Sequence, residues 1–344
     1  MRFEQVRIES MGAVVPPKAF SSVAIEVQLA TLYKRLKLPE GRLELMTGIR
    51  ERHFWDGPKQ PSEAAAEAGE KALEESEFDR KDIDLLIHCG VCRDRLEPAT
   101  AAYVHEILGL NSHCQIMDVS NACLGFLNGM VLAASMIESG QVRRALLVSG
   151  ENGKPLLEHT LKTLLKGNLT RKSIKPYFAN LTIGAGAVAY VLGHKDDVRA
   201  DAPSLIGGIV ETDTSANRLC QGDHSGASGL SMLTDAELLL EAGLKVASRG
   251  WDRFSHLLGW SRESIDRIIC HQVGRTHQRR LLETLKLDLS KDFSTFETLG
   301  NVGSVSLPIT FARAVHQGIV KRGDRVAMLG IGSGLSAMML GVEA

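Results

Sequence analysis

The sequence predicts an α/β protein made of two similar halves, and three observations lead there. Short unbroken apolar runs of strand length alternate with stretches of helical composition, the pattern of sheets covered on both faces. The order of these runs is repeated. "DIDLLIHCGV", "AAYVHEILGL", "DVSNACLGFLNGM" and "GQVRRALLVSGE" are answered later by "SIDRIICHQV", "HQRRLLETLKL", "ETLGNVGSVSLPIT" and "RGDRVAMLGIGSG". Finally, 344 residues are too many for one small core and suit two domains or one large α/β unit.

Taken in order, each copy opens with Ile-Asp, at Ile83-Asp84 and Ile265-Asp266, followed by a β-rich run. A helical stretch comes next and ends in a leucine-containing segment. A Gly- or Ala-rich turn then enters a helix of small and apolar residues. Each block closes on a polar turn and a continuous apolar strand, "RRALLVSG" or "DRVAMLGIG". Two copies this long indicate a duplicated domain and not a solenoid. The polar segment "GHKDDVRADAPSL", which holds Pro203, lies between them, so the expected division is 1–195 and 196–344.

Composition narrows the function classes. A hydrophobic fraction of 44% and a charged fraction of 24% are those of a folded globular chain, which excludes disorder. The net charge of −1 gives no global argument for nucleic acid or an anionic membrane surface. The start "MRFEQVRIESMGAVVPP" lacks the apolar core of a signal peptide, and no apolar run reaches spanning length, so a cytoplasmic protein is expected. Six cysteines (89, 92, 114, 123, 220 and 270) are too sparse for a disulfide framework. "CGVC" at 89–92 has C-x-x-C spacing, but no second pair supplies the four ligands of a zinc site, and it ends a strand-like run where a redox motif would open a helix. No metal is expected.

Cys123 stands at the joint of a strand-like and a helix-like segment, beside Asn121, Ala122 and Gly125. It reads either as a small core hydrophobe or as a nucleophile at the positive end of a helix. The duplication bears on the choice. Cys123 and Asn301 occupy equivalent turns of the two copies, and His271 follows the first strand of the second. Halves packed about a pseudo-twofold axis would bring the three together, a constellation suited to nucleophilic acyl transfer.

The set "DVSNACLGF", "HQVGRTH", "LGNVGSVSLP" and "GIGSGLS" resembles the thiolase superfamily, in the branch of β-ketoacyl-acyl-carrier-protein synthase III; "TGIRER" at 47–52 resembles that branch's N-terminal motif. The resemblance spans essentially the whole chain. It implies a five-layered αβαβα thiolase fold, a homodimer, and a triad in which Cys123 is the nucleophile and His271 and Asn301 its partners. Three departures narrow it. "HQVG" stands where synthase III has His-Gln-Ala-Asn, and "TIGAGAV" where it has Gly-Asp-Gly-Ala-Gly-Ala. "VCRDRLEPATA" places an acid before the proline, which that branch lacks. These variants resemble the OleA family, thiolases that join two fatty acyl-CoA molecules head to head in long-chain olefin synthesis. In that family the glutamate of Cys-Arg-Asp-x-Leu-Glu-Pro is the base. It matches Glu97, on a loop that reaches the partner's site in the family's dimers.

The resemblance implies a non-decarboxylative Claisen condensation between two acyl-CoA thioesters. Cys123 takes an acyl group, with the helix N-terminus expected to lower its pKa. His271 and Asn301 donate to the enolate oxygen, typically worth about 3 to 4 kcal/mol per donor. The backbone amides of Cys123 and Ser333 form a second oxyanion hole. Glu97 removes the α-proton, because a simple acyl-CoA has no carboxylate to lose. In the alternative, a decarboxylative synthase III using malonyl-carrier protein, Glu97 is a surface residue. A non-catalytic partner subunit is a third reading, against which the intact Cys123, His271 and Asn301 argue. Arg275, Arg279 and Arg280, with the basic stretch "KTLLKGNLTRKSIKPYF", invite docking of coenzyme A or a carrier protein. Coenzyme A thioesters enter as substrates, with no cofactor, and the expected partners are a second copy, an acyl carrier protein or downstream pathway enzymes.

Overall fold

The computed structural model describes residues 1–224 and 230–344. The first half runs β1 (Val6–Val14), β2 (Lys18–Ser21), α1 (Ser22–Gln28), α2 (Ala30–Leu36), α3 (Arg42–Thr47), β3 (Glu51–Phe54), α4 (Pro61–Glu75), β4 (Leu85–Cys89), α5 (Thr100–Leu108), β5 (Gln115–Val119), α6 (Gly125–Glu138), β6 (Arg144–Asn152), α7 (Lys154–Lys166) and β7 (Ala185–His194). The second runs β8 (Ser204–Thr212), β9 (Cys220–His224), β10 (Leu230–Thr234), α8 (Ala236–Leu258), β11 (Arg267–Cys270), α9 (Arg275–Leu285), α10 (Phe296–Leu299), α11 (Ser306–His316), β12 (Arg325–Gly332) and β13 (Ser336–Glu343).

The strands join in the order β11-β12-β13-β8-β1-β7-β6-β4-β5. Where the halves meet, β8 and β1 pair at Ser204 and Arg7, and an antiparallel bridge joins Arg2 to Gly207. On either side the pattern is the same. β4 is parallel to β6, which is antiparallel to β7, which is antiparallel to β1. Likewise β11 is parallel to β12, β12 antiparallel to β13, and β13 antiparallel to β8. β5 lies parallel to β4; its counterpart is reduced to one parallel bridge between Ile268 and Asp292.

The repeated Ile-Asp pair has one structural role in both copies. The Asp84 carboxylate accepts from the Arg143 N–H at 2.9 Å and the Arg144 N–H at 3.0 Å, at the start of β6. The Asp266 carboxylate accepts from the Arg325 N–H at 2.8 Å, at the start of β12. Ile83 and Ile265 beside them are fully buried. The pair thus sets the relative height of two parallel strands in each half.

Packing gives five layers, counting the two ends of the strand order, β1-β7-β6-β4-β5 and β11-β12-β13-β8, as two sheets. α4 and α5 cover one sheet through an alanine-rich cluster that includes Ala64, Ala65, Ala68 and Ala72. α8 and α9 cover the other through Leu244, Trp251, Phe254, Leu281 and Leu285. Between the sheets lie α6 and α11, whose Phe126, Met130, Ile309 and Phe311 join both sheets in the largest core. With both faces covered, β4 is buried at every residue, which is why its sequence is apolar apart from His88 instead of alternating. No helix among the described residues is long and apolar enough to cross a membrane.

Candidate active site

The turn from β5 into α6 is tight. Ala122 has φ +46, in the left-handed region that costs an L-residue roughly 1 kcal/mol or more. The Leu124 N–H donates to the Asn121 carbonyl at 2.9 Å, and Asn121 Nδ2 donates to Asn128 Oδ1 at 2.9 Å, stapling the turn to the helix it opens. Cys123 sits at this elbow. The end of β12 closes against it because Gly332 has no side chain: a Cβ there would lie 2.9 Å from Leu124 Cγ and 3.6 Å from the Cys123 nitrogen.

The environment of the thiol corrects the sequence expectation. Burial first, then the fields of Cys220 and Glu151, push the Cys123 thiol up to about 12. A helix N-terminus stabilises a thiolate by a modest amount, and desolvation together with a nearby carboxylate outweighs it. At neutral pH Cys123 is a thiol, so a nucleophilic role would need a base to take its proton.

His271 follows β11, and its N–H donates to the Leu329 carbonyl of β12 at 2.9 Å. Leu329 lies three residues before Gly332, so the imidazole and the thiol are carried by neighbouring strand ends. Both ring nitrogens are buried, and neither has a hydrogen-bond partner among the described residues. Burial, with His277 nearby, lowers its pKa to about 4, so the ring is neutral at pH 7, one nitrogen a donor and the other an acceptor. The next residue, Gln272, ties this segment to α10: its Oε1 accepts from the Thr295 N–H at 2.8 Å and the Phe296 N–H at 3.0 Å.

α10 leads to Gly300, at φ +68, and then to Asn301. The backbone of Asn301 is clamped on both sides. Its N–H donates to the Thr182 carbonyl and its carbonyl accepts from the Gly184 N–H, each at 2.9 Å. Its Oδ1 accepts from the Gly303 N–H at 3.1 Å and the Ser306 hydroxyl at 3.3 Å. Because a backbone N–H requires an acceptor, this fixes which side of the amide is oxygen and leaves the Nδ2 donors directed away.

A residue missed in the sequence reading, Glu151 at the end of β6, links these parts. It is 4% exposed. Its carboxylate accepts from the Val91 N–H at 2.9 Å, the Cys92 N–H at 3.0 Å and the Ser304 hydroxyl at 2.6 Å. A charged side chain closing the apolar run "RRALLVSGE" was the available signal, but its partners lie some 60 and 153 residues away.

Ser333 lies in the turn after Gly332, beside the Cys123 elbow. Glu97 is placed differently. It is exposed in the loop between β4 and α5, next to Leu96 at 89% exposure, and the single chain does not hold it against Cys123. The arginines are also elsewhere: Arg275 pairs with Glu297 at 3.4 Å, Arg280 pairs with Glu241 at 3.0 Å, and Arg279 is exposed on the same helix. Cys89 is buried and Cys92 half-buried, and both are free thiols.

Residues 117–205 match the 3-oxoacyl-[acyl-carrier-protein (ACP)] synthase III family, and residues 256–343 match its C-terminal part. Over 100% of both chains the sequence is 37% identical to an acyl-CoA:acyl-CoA alkyltransferase of Shewanella oneidensis. It is 38% identical to one of Xanthomonas campestris pv. campestris, over 98% of each. A β-ketoacyl-[acyl-carrier-protein] synthase III of Neisseria gonorrhoeae is 27% identical over 97% of each. Among solved structures, a glutamate-to-glutamine variant of Xanthomonas campestris OleA superposes with a TM-score of 0.96 at 37% identity, covering 100% of this chain and 98% of that one. A cysteine-to-serine variant of the same protein, with bound lauric acid and lauroyl-CoA, gives 0.95 at 37% identity, covering 99% and 100%.

Proposed function

Because the chain belongs to the OleA family of acyl-CoA:acyl-CoA alkyltransferases, within the thiolase superfamily, we propose that it joins two fatty acyl-CoA thioesters by a non-decarboxylative Claisen condensation through an acyl group on Cys123. Neutral His271 takes the thiol proton, the sulfur attacks the first thioester, and coenzyme A leaves with that proton. The α-proton of the second acyl-CoA passes to Glu97. His271 and Asn301 Nδ2 hold the resulting enolate oxygen. The α-carbon attacks the acyl carbonyl on Cys123, whose oxygen faces the Cys123 and Ser333 N–H groups, and the sulfur departs to be reprotonated. The product is a 2-alkyl-3-ketoacyl thioester, or its acid after hydrolysis.

The observation that carries this reading is a set of donors without partners among the described residues, on segments tied by the fold to the strained elbow at Ala122 that carries Cys123. His271 has two unpartnered buried nitrogens, and Asn301 is anchored through its oxygen with its amide hydrogens free. Solved structures of the Xanthomonas protein include variants at a cysteine, a histidine and a glutamate, the residue types assigned here.

Glu97 requires a second copy of the chain. β5 forms the outer edge of the sheet, with Gln115 and Ile116 exposed. Pairing with the same strand of another protomer would cover that edge and carry the Glu97 loop toward the neighbouring site. We therefore assign a cytoplasmic homodimer. Among the described residues Arg279, Lys162, Lys166 and Lys172 have no carboxylate partner and would serve coenzyme A or carrier-protein phosphates, whereas Arg275, Arg280 and Lys175 are engaged with Glu297, Glu241 and Glu237.

The test is mass spectrometry of products from purified protein given lauroyl-CoA alone. A 2-alkyl-3-keto product and an acyl adduct on Cys123 are expected, and Cys123→Ser should abolish both. The match to synthase III over two segments favours a second reading, decarboxylative condensation with a malonyl thioester. Glu97→Gln separates the two. The proposed enzyme keeps acylation and loses about two to four orders of magnitude in condensation. The decarboxylative enzyme condenses at its normal rate and only with malonyl thioester present.

A further inference from the structure

Glu151 is a carboxylate buried at 4% exposure with no Lys or Arg partner among the described residues. Burying such a group without a cation is costly, so its surroundings must hold it by hydrogen bonds. They come from two separate loops. Oε1 accepts from the Val91 N–H at 2.9 Å, the Ser304 hydroxyl at 2.6 Å and, more weakly, the Ser304 N–H at 3.3 Å. Oε2 accepts from the Cys92 N–H at 3.0 Å. The Ser304 hydroxyl has one proton, which goes to the carboxylate; Ser149 Oγ, 2.9 Å away, supplies a donor in return. Gly303 packs directly on the carboxylate, since a Cβ there would lie 3.1 Å from Oε1.

Each of these loops carries one residue of the proposed condensation. Val91 and Cys92 begin the segment that ends in Glu97. Farther along that segment, Asp94 accepts from the Ser62 N–H at 2.9 Å and from its hydroxyl, and Asp118 accepts from the Thr100 N–H at 2.8 Å. Only residues 95–99 between these anchors lack a hold of this kind. On the other side, the N–H that fixes Asn301 Oδ1 is that of Gly303, the residue just before Ser304. The loops come from different halves of the chain, and among the described residues their one other polar contact is between the Ser304 hydroxyl oxygen and the Cys89 carbonyl, 2.9 Å apart.

We propose that Glu151 is a positioning residue for carbon–carbon bond formation, holding the turn that aims the Asn301 amide in register with the loop that presents Glu97. The inference rests on the condensation reading above. A carboxylate suits the task because two oxygens accept from donors on both loops at once. A glutamine offers one oxygen and turns an NH2 group toward an N–H, releasing one loop.

The test measures two steps separately with lauroyl-CoA: acyl adduct on Cys123 by rapid-quench mass spectrometry, and product formation at saturating substrate. Glu151→Gln should acylate Cys123 within about threefold of the wild-type rate while kcat for condensation falls about 10- to 100-fold, the effect of a displacement near 1 Å. Ser304→Ala, which removes only the hydroxyl from the turn-side hold, should lose about 3- to 10-fold in the same step. It decides the matter if Glu151→Gln does not fold. Parallel loss of acylation and condensation, tracking a fall in Tm, would show a merely structural role and overturn the proposal, as would unchanged condensation. Glu97→Gln run alongside distinguishes the failures: if it separates the two steps and the Glu151 and Ser304 variants do not, this inference alone is wrong. If Glu97→Gln separates nothing, the reading beneath it fails.

Discussion

Asn301→Asp tests the oxyanion assignment with little disturbance of the fold. Asn301 Oδ1 accepts from the Gly303 N–H and the Ser306 hydroxyl, and an aspartate oxygen accepts both equally. The change therefore falls on the other atom, where an NH2 donor becomes an oxygen. Loss of one preorganised donor to a developing enolate is worth about 3 to 4 kcal/mol, or roughly two to three orders of magnitude in condensation. An ionised aspartate adds repulsion toward the enolate of a similar order, about 4 kcal/mol at 4 Å and an effective dielectric near 20. The variant can escape part of this by protonation, which restores an O–H donor. Its residual condensation should accordingly rise as pH falls, opposite in sign to an enzyme limited by a carboxylate base.

The assay is product formation from lauroyl-CoA between pH 6 and 9, with acylation of Cys123 measured in parallel and expected to be near normal. Stability should change by less than about 1 kcal/mol in urea, because no donor is orphaned. Asn301→Ala, which strips the Gly303 N–H of its acceptor, should lose about 1 to 3 kcal/mol. Condensation by Asn301→Asp within about tenfold of wild type at pH 8 would refute the oxyanion role of the amide.

Further outcomes follow from the same geometry. Alkylation of Cys123 by iodoacetamide should climb about tenfold per pH unit from pH 7 to 10 without a plateau, since burial, Cys220 and Glu151 hold the thiol up to about 12 and the thiolate is the reactive form; a plateau near pH 7 would mean a preformed thiolate. Gly332→Ala places a methyl 2.9 Å from Leu124 Cγ and should slow acylation of Cys123 about 10- to 100-fold, read as the rate of adduct formation. If Glu97 is lent across a dimer, mixing Cys123→Ser and Glu97→Gln proteins under subunit exchange should recover about a quarter of wild-type condensation. If it acts within its own chain, mixing recovers none.

The parts of the fold legible in the sequence are those set by local patterns. Continuous apolar runs marked β4, β6 and β12 because these strands are covered on both faces, and their short length between turn residues distinguishes them from buried helices. The Ile-Asp repeat located equivalent strands because its aspartates satisfy equivalent N–H groups, as Asp84 and Asp266 do. The elbow at Cys123 was legible from its small neighbours. What escaped the sequence were the long-range acceptors. Glu151 and Gln272 look like ordinary polar residues until the chain folds, and their partners are then loops 23 to 153 residues distant. The raised pKa of Cys123 escaped for the same reason: a helix start is visible in sequence, whereas desolvation and a carboxylate from another strand are not. Exposure of Glu97 in the protomer and the ion pairs of Arg275 and Arg280 likewise depend on tertiary placement.

Duplication also explains why such a costly arrangement is held at all. Each half places a turn ahead of a helix buried between the sheets: Cys123 before α6 in one, Asn301 before α11 in the other. In the proposed reaction neither turn alone supplies both the nucleophile and the side-chain donor to the enolate. The elbow strain at Ala122, the unpartnered imidazole of His271 and the cation-free Glu151 each cost stability, on the order of 1 to 3 kcal/mol apiece. A surface loop would relax all three. Here the helices behind them are fixed by Phe126, Met130, Ile309 and Phe311, which are essentially inaccessible to solvent and pack against both sheets. Moving either turn means moving a helix in the largest core of the molecule, which costs more than the strain it would relieve. The central layer therefore does for the site what neither turn can do locally: it makes relaxation more expensive than strain.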